Sequence, residues 1–143
     1  FKNINSDGTP GDNGENNTNQ PSVDYPLFRL GDVYLMWTEA KMKTGGADAT
    51  YVNMLRTRAN AATVTAGQII DQFILDERGR ELYWEATRRT DLIRFGQFTG
   101  GTYLWPWKGQ SINGTSTDAK YNLFPLPVAD LAANPNLVQN PGY

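Results

Sequence analysis

The sequence predicts an all-α fold, and three observations carry that prediction. Between Leu30 and Lys43 apolar residues recur every three or four positions, and Thr44-Gly45-Gly46 closes the run. A second, shorter run opens at Asp48 and keeps Val52, Leu55 and Ala59 on one side. A third, Asp76 to Gly96 (DERGRELYWEATRRTDLIRFG), sets Arg78, Arg80, Arg88, Arg89 and Arg94 against Asp76, Glu77, Glu81, Glu85 and Asp91, with large apolar residues between them. Charges this dense on a solvated helix usually come with few large apolar residues, so this helix is expected to be covered.

Composition narrows the chemistry. The chain has 143 residues, enough for one domain of ordinary size, and a net charge of −2. Its pI near 5.0 gives no broad basic footprint for nucleic acid. No apolar run is long enough to span a bilayer as a helix. Cysteine and histidine are both absent, which removes disulfides, thiolate nucleophiles, the commonest general base and the commonest zinc ligand.

Residues 1–24 are rich in Asn, Gly, Asp, Ser, Thr and Pro and cannot form a core, so they are expected to be a flexible loop. Asp7, Asp12, Asn13 and Glu15 offer oxygen ligands for calcium, but their spacing departs from an EF-hand loop and a solvated loop is the simpler reading. Asn16 and Asn113 each open a short glycosylation pattern of the kind that arises often by chance.

The first helix enters through Tyr25-Pro26 and runs to about Lys43. Its expected stripe is Leu30, Val33, Tyr34 and Trp37, with Ala40 near its end and Met36 broadening it. Gly45 or Gly46 supplies the left-handed stop. Asp48 caps the second helix, and the short loop between the two makes a helical hairpin. Thr65-Ala66-Gly67-Gln68 reads as a capping box that starts the third helix. On that helix Ile70, Ile74, Glu77, Glu81 and Trp84 share one face, with Leu75, Leu82 and Ala86 roughly opposite.

One covered face therefore contains two carboxylates. A buried carboxylate is costly unless it is paired, and the arginines are the evident partners. The expected result is a partly buried network of Glu77, Arg80, Glu81, Glu85, Arg88, Arg89, Asp91 and Arg94 that fixes the helix after Ala86 on the helix before it. Glu81→Ala is then expected to destabilise strongly. Gly79, costly inside a helix, marks a close approach of another element. Thr87 or Arg88 begins a short fourth helix and Gly96 ends it.

Gln97 to Lys120 is a loop carrying Phe98, Tyr103, Trp105 and Trp107. Two readings stand. The loop folds over the helices and buries its rings, or it presents them as a platform for sugar rings, with Lys108, Gln110 and Asn113 donating to hydroxyls at the rim. In the second reading Tyr103, Trp105, Trp107 and Lys108 hold the ligand. Tyr121 to Pro127 is extended by its prolines, a short helix runs from Val128 to about Ala132, and Asn134 to Tyr143 is turn chemistry.

Three blocks carry a resemblance. Glu77-Arg78-x-Arg80-Glu81-Leu82-x-x-Glu85 followed by Arg88-Arg89-x-Asp91-Leu92-x-Arg94-Phe95-Gly96, the run from Pro26 to Ala40, and the ending Asn134-Pro135-x-Leu137-x-Gln139-Asn140-Pro141-Gly142-Tyr143 together resemble the SusD/RagB family. Where the family's pattern has Gly-His after the last Glu, this chain has Ala86-Thr87, so the bend there is expected to be made differently. The resemblance implies tetratricopeptide-like helical hairpins (an α/α superhelix), which stack on neighbours because one pair cannot bury both faces. It also implies a C-terminal piece of a longer protein with a natural end at Tyr143.

In function, the resemblance implies a lipoprotein of the Bacteroidetes outer membrane. Such a protein captures an oligosaccharide or polysaccharide, or another nutrient such as a peptide, at the cell surface and passes it to a SusC-like TonB-dependent transporter. The lipid anchor would lie outside this chain. No cofactor or metal is implied. The competing readings are a scaffold or transporter-contact piece, with the ligand site elsewhere, and a glycosidase. Glu77, Glu81 and Glu85 do recur at successive helical turns, but nearby arginines are expected to pair with them and spoil them as general acids. Catalysis is set aside on that ground.

Overall fold

The computed structural model describes Asp7, Thr9 and residues 26–143. The chain divides into two units, Phe1–Leu30 and Gly31–Tyr143. In the first, the Thr9 N–H and hydroxyl both donate to Asp7 Oδ1, at 2.9 and 2.7 Å. Those bonds, the hydroxyl's first, hold the exposed Asp7 carboxyl below its ordinary pKa. Apart from Asp7 and Thr9, the expected loop over 1–24 lies outside the described residues, as do Asp12, Asn13, Glu15 and Asn16.

Regular structure among the described residues is helical, as the sequence predicts. The helices are α1 (Leu30–Lys43), α2 (Thr50–Arg58), α3 (Asp71–Glu81), α4 (Arg88–Arg94) and α5 (Val128–Ala133), with 3-10 turns at Ala66–Gln68, Lys108–Gln110 and Ala119–Asn122. An isolated bridge joins Gly100 to Thr117.

The register of α1 differs from the expected stripe. Its buried positions are Gly31, Leu35, Thr38 and Glu39, whereas Leu30, Val33, Met36 and Ala40 are exposed. The reason is that two inward positions are polar and satisfied. The Thr38 hydroxyl donates to Tyr34 O at 2.8 Å, and Glu39 is held by Arg94. Tyr34 and Trp37 are half-buried and pack on α2, Tyr34 stacked on Tyr51 at 4.5 Å and Trp37 edge-on to it at 4.7 Å. Gly45, at φ +81°, closes α1 in a Schellman motif, with Gly46 N–H donating to Lys41 O and Gly45 N–H to Met42 O.

Asp48 accepts from Thr50 N–H at 2.8 Å and opens α2, where Val52 and Leu55 point inward. Hydrogen bonds from Thr50 keep the exposed Asp48 carboxyl below its ordinary pKa. Ala59, expected inward, is exposed because the helix stops at Arg58. Asn53 then pairs both backbone groups of Val64, at 2.8 Å each, and fixes the link that follows.

Gln68 reaches back to Thr65 N–H at 2.9 Å, as a capping box requires, but it caps a 3-10 turn rather than α3. Ile69 and Ile70 stay extended, which puts Ile69 into the core and starts α3 only at Asp71. Leu35, Val52, Leu55, Ile69 and Ile74 form the core, with Val64, Phe73 and Phe95 packed against it.

α3 ends at Glu81, earlier than its periodicity predicts. Ile70, ahead of the helix start, and Trp84, beyond its end, were expected to share a face with Ile74 but lie off the helix and are exposed. The chain turns back toward α4 through Trp84 at φ +66° and Ala86 at φ +59°. Glycine takes that conformation freely and residues with a Cβ do not. Ala86 thus fills a left-handed position while keeping its side chain.

After α4 the chain is mostly irregular. Gln139 pairs both backbone groups of Leu126, at 2.8 and 3.0 Å, and Asn140 donates to Phe124 O at 2.7 Å. The tail amides thereby pair the proline-rich segment, which cannot pair itself.

Candidate functional site

The charged network has two parts. In the first, Arg78 donates from Nε to Asp91 and from Nη1 to Asp32, both at 2.8 Å. Asp91 also accepts from Arg94 at 3.3 Å, and Arg94 forms a two-pronged pair with Glu39. That pairing raises the Arg94 pKa above its ordinary value, the Glu39 hydrogen bond first among the causes. This part joins α3 and α4 to α1. Arg78 and Asp91 are 6% and 3% exposed, so the charges are matched inside the protein.

The second part joins α3 to α2. Glu77 accepts from Arg56 at 2.7 Å and from Arg80 at 2.6 Å, and Glu81 accepts from Arg58 at 2.5 Å. The Arg58 side chain is 58% exposed. The sequence reading expected Glu81→Ala to leave a buried arginine unpaired; Arg58 is not buried, whereas the Glu81 side chain that it meets is only 8% exposed.

Two expected members of the network do other work. Arg89 stacks on Phe124 at 4.0 Å and lies 5.1 Å from the Phe98 ring, and donates to Tyr121 O at 2.7 Å. It fastens the tail, beside a hollow of about 300 Å³ bordered by Phe98, Tyr121, Phe124 and Tyr143. Arg88 donates to Leu75 O at 2.5 Å and to the Tyr103 hydroxyl oxygen at 2.7 Å. Its guanidinium lies on Gly79, where an added Cβ would sit 2.8 Å from Nη1, so the close approach expected at Gly79 is present. Glu85 is half-buried in the turn, its N–H donating to Leu82 O.

Asp32, Glu39, Arg56, Arg58 and Arg78 were absent from the expected network. Asp32 and Glu39 are seven residues apart, two turns of α1, and that spacing was the available signal for a shared face.

Arg88 leads to the aromatic loop. With its hydroxyl accepting from Arg88, the half-buried Tyr103 meets Trp105 edge-on at 5.3 Å. Lys108 Nζ donates to Tyr103 O at 2.8 Å and sits 4.8 Å from the Trp105 ring. Lys108 is 8% exposed, so it is not the rim donor expected for a ligand. It pins the loop from inside, over the face of an indole that attracts cations.

The turn around Lys108 is tight. Trp107, Gly109, Gln110 and Gly114 all have positive φ, Trp107 N–H donates to Ser111 O, and Thr115 N–H donates to Lys108 O. The outcome lies between the two sequence readings. Phe98 and Tyr103 turn inward, while Trp105 and Trp107 remain 44% and 67% exposed. Gln110 and Asn113 are exposed beside them in sequence. The structure thus brings Tyr103, Trp105 and Lys108 together and leaves two indoles open to solvent. Such an arrangement can stack apolar ring faces, and the exposed amides can bond hydroxyls.

The model of the SusD family matches residues 2–143. The chain is 44% identical over 143 residues to the starch-binding protein SusD of Bacteroides thetaiotaomicron, a match covering all of this chain and 25% of that protein. It is 36% identical over 130 residues to a SusD-like protein of Formosa agariphila, covering 82% of this chain and 24% of the relative. The chain thus spans about a quarter of the length of these curated relatives.

Proposed function

Because the chain belongs to the SusD family, we propose that it binds the sugar rings of an oligosaccharide on the exposed indoles of Trp105 and Trp107. The observation that carries this reading is the exposure of both indoles on a loop whose interior is already satisfied. Arg88 and Lys108 hold the backbone and Tyr103, and the tryptophans are left outside. A loop needed only as cover would turn those rings in, since burying a large side chain stabilises by about 1.5–3 kcal/mol.

Tyr103 and Lys108 act here by positioning Trp105. The ligand class is a glycan, and an α-glucan is the first choice because a relative is named a starch-binding protein. The role is binding without catalysis. The protein works on the cell-surface side of a bacterial outer membrane, held by a lipid anchor outside this chain, and delivers its glycan to a SusC-like TonB-dependent transporter. In the longer protein, further helix pairs stack on α1 and α2 in tetratricopeptide fashion.

Calorimetric titration with maltoheptaose and with mannan-, xylan- and host-type oligosaccharides tests the reading. One class is expected to bind, and Trp105→Ala or Trp107→Ala to weaken it about tenfold, equivalent to about 1.4 kcal/mol. Unchanged affinity in both variants would remove the loop from the site. One observation favours a second reading, scaffold and transporter contact. Val33, Met36 and Ala40 leave an apolar stripe of α1 uncovered.

A further inference from the structure

Trp84 is unexplained by the fold. Its backbone has φ +66°, a conformation that costs a bulky residue about 1–2 kcal/mol. Burial offers no offset, because Trp84 is 88% exposed and its neighbour Tyr83 is 74% exposed. A turn that only had to reverse the chain would place glycine here. Strained positions of this kind concentrate where a side chain is held out for a ligand.

The surroundings supply a second, independent observation. Tyr83 and Trp84 stand 6.1 Å apart, tilted by 40°, and border a groove of about 440 Å³ with Asp76, Gly79, Arg80 and Arg88. That volume falls within the range of small-molecule sites, roughly 300–1,000 Å³. Polar groups in the groove are already oriented by the protein. Asp76 Oδ1 accepts from Gln72 at 2.9 Å, Arg80 uses Nε and Nη2 on Glu77, and Arg88 is fixed on Leu75 O and Tyr103. A carboxylate has about four acceptor sites and a guanidinium five donors, so Asp76 and Arg80 keep capacity for a ligand. Arg88 belongs both to this groove and to the loop that carries Trp105.

We propose that the groove beside Tyr83 and Trp84 is a second sugar subsite, in which a ring of a neutral oligosaccharide stacks on Trp84 while Asp76 and Arg80 bond its hydroxyls. This rests on the reading of the chain as a glycan binder and extends it to a groove that shares Arg88 with the loop. A glycan fits better than a protein surface, because one groove with two rings is small beside the roughly 1,200–2,000 Å² that a stable protein interface buries. Acceptors and donors placed together also suit hydroxyls better than an ion of one sign.

The test is titration of the full chain and of Trp84→Gly with maltoheptaose and the same glycan panel, with a melting curve for each protein. Trp84→Gly removes the ring and relieves the backbone together, so its melting temperature is expected not to fall. Its dissociation constant is expected to rise about tenfold. Equal affinity in both proteins overturns the subsite and leaves glycan binding through the loop standing. Absence of binding by the unsubstituted chain to every panel member overturns both. If Trp84→Gly keeps its glycan affinity but no longer co-purifies with a TonB-dependent transporter, the groove is a protein contact and the sugar assignment is wrong.

Discussion

Arg78→Met is expected to lower unfolding stability by about 3–5 kcal/mol, the cost of breaking a buried ion pair from one side. Among the described residues, the variant leaves Asp91, 3% exposed, with the longer 3.3 Å contact to Arg94, and removes the Arg78 bond from Asp32 as well. A domain's net stability is about 5–15 kcal/mol, so this is a large share of it. At about 2–4 °C per kcal/mol, the melting temperature should fall by roughly 6–20 °C. Arg78→Lys should recover little, because one ammonium on a flexible stem does not reproduce a guanidinium that bonds two carboxylates from separate nitrogens. A loss below about 1 kcal/mol in urea unfolding would show that the network is solvated and does not organise the helices.

Gly114→Ala is expected to open the aromatic loop at a cost of about 2–5 kcal/mol, the sum of a left-handed penalty and an overpacking penalty. Gly114 has φ +76°, and a Cβ there would lie 2.6 Å from Trp105 O. The clashing atom is backbone, so no rotamer change relieves it, and the segment that moves is the one carrying Trp105. The effect should be local. Faster hydrogen exchange is expected at Thr115 N–H, which donates to Lys108 O, together with loss of glycan affinity. Unaltered exchange at Thr115 would mean that the turn is not held as described.

The helices were legible because hydrophobic period, glycine stops and an Asx cap are local signals. The end of α1 at Gly45 and the start of α2 after Asp48 follow directly from them. The inward face of α1 was not legible. Thr38 and Glu39 count as polar in any stripe, yet a bond to Tyr34 O and a pair with Arg94 make their burial inexpensive. The same limit explains the charged network. Its residue types announced pairing, but which arginine meets which carboxylate depends on pairs between helices 13 to 55 residues apart in sequence.

The end of α3 was missed because a turn built from left-handed Trp84 and Ala86 has no glycine to mark it. In the loop the rings were visible and their fates were not. Tyr103 and Trp107 look alike in the sequence, and only Arg88 and the positive-φ turn decide that one faces in and the other out. Lys108 was read as a surface donor because lysine is almost never fully buried, and a backbone carbonyl together with an indole face changed that here.

The chain has four tryptophans, Trp37, Trp84, Trp105 and Trp107, and each gives one indole N–H resonance. Following those four signals while the oligosaccharide that binds in calorimetry is titrated in tests the central claim most directly. Trp105 and Trp107 are expected to shift in proportion to ligand occupancy. Trp37, packed edge-on against Tyr51, is expected to stay in place as the internal control. Saturable glycan binding with the Trp105 and Trp107 signals unmoved would place the sugar elsewhere on the chain and contradict the account.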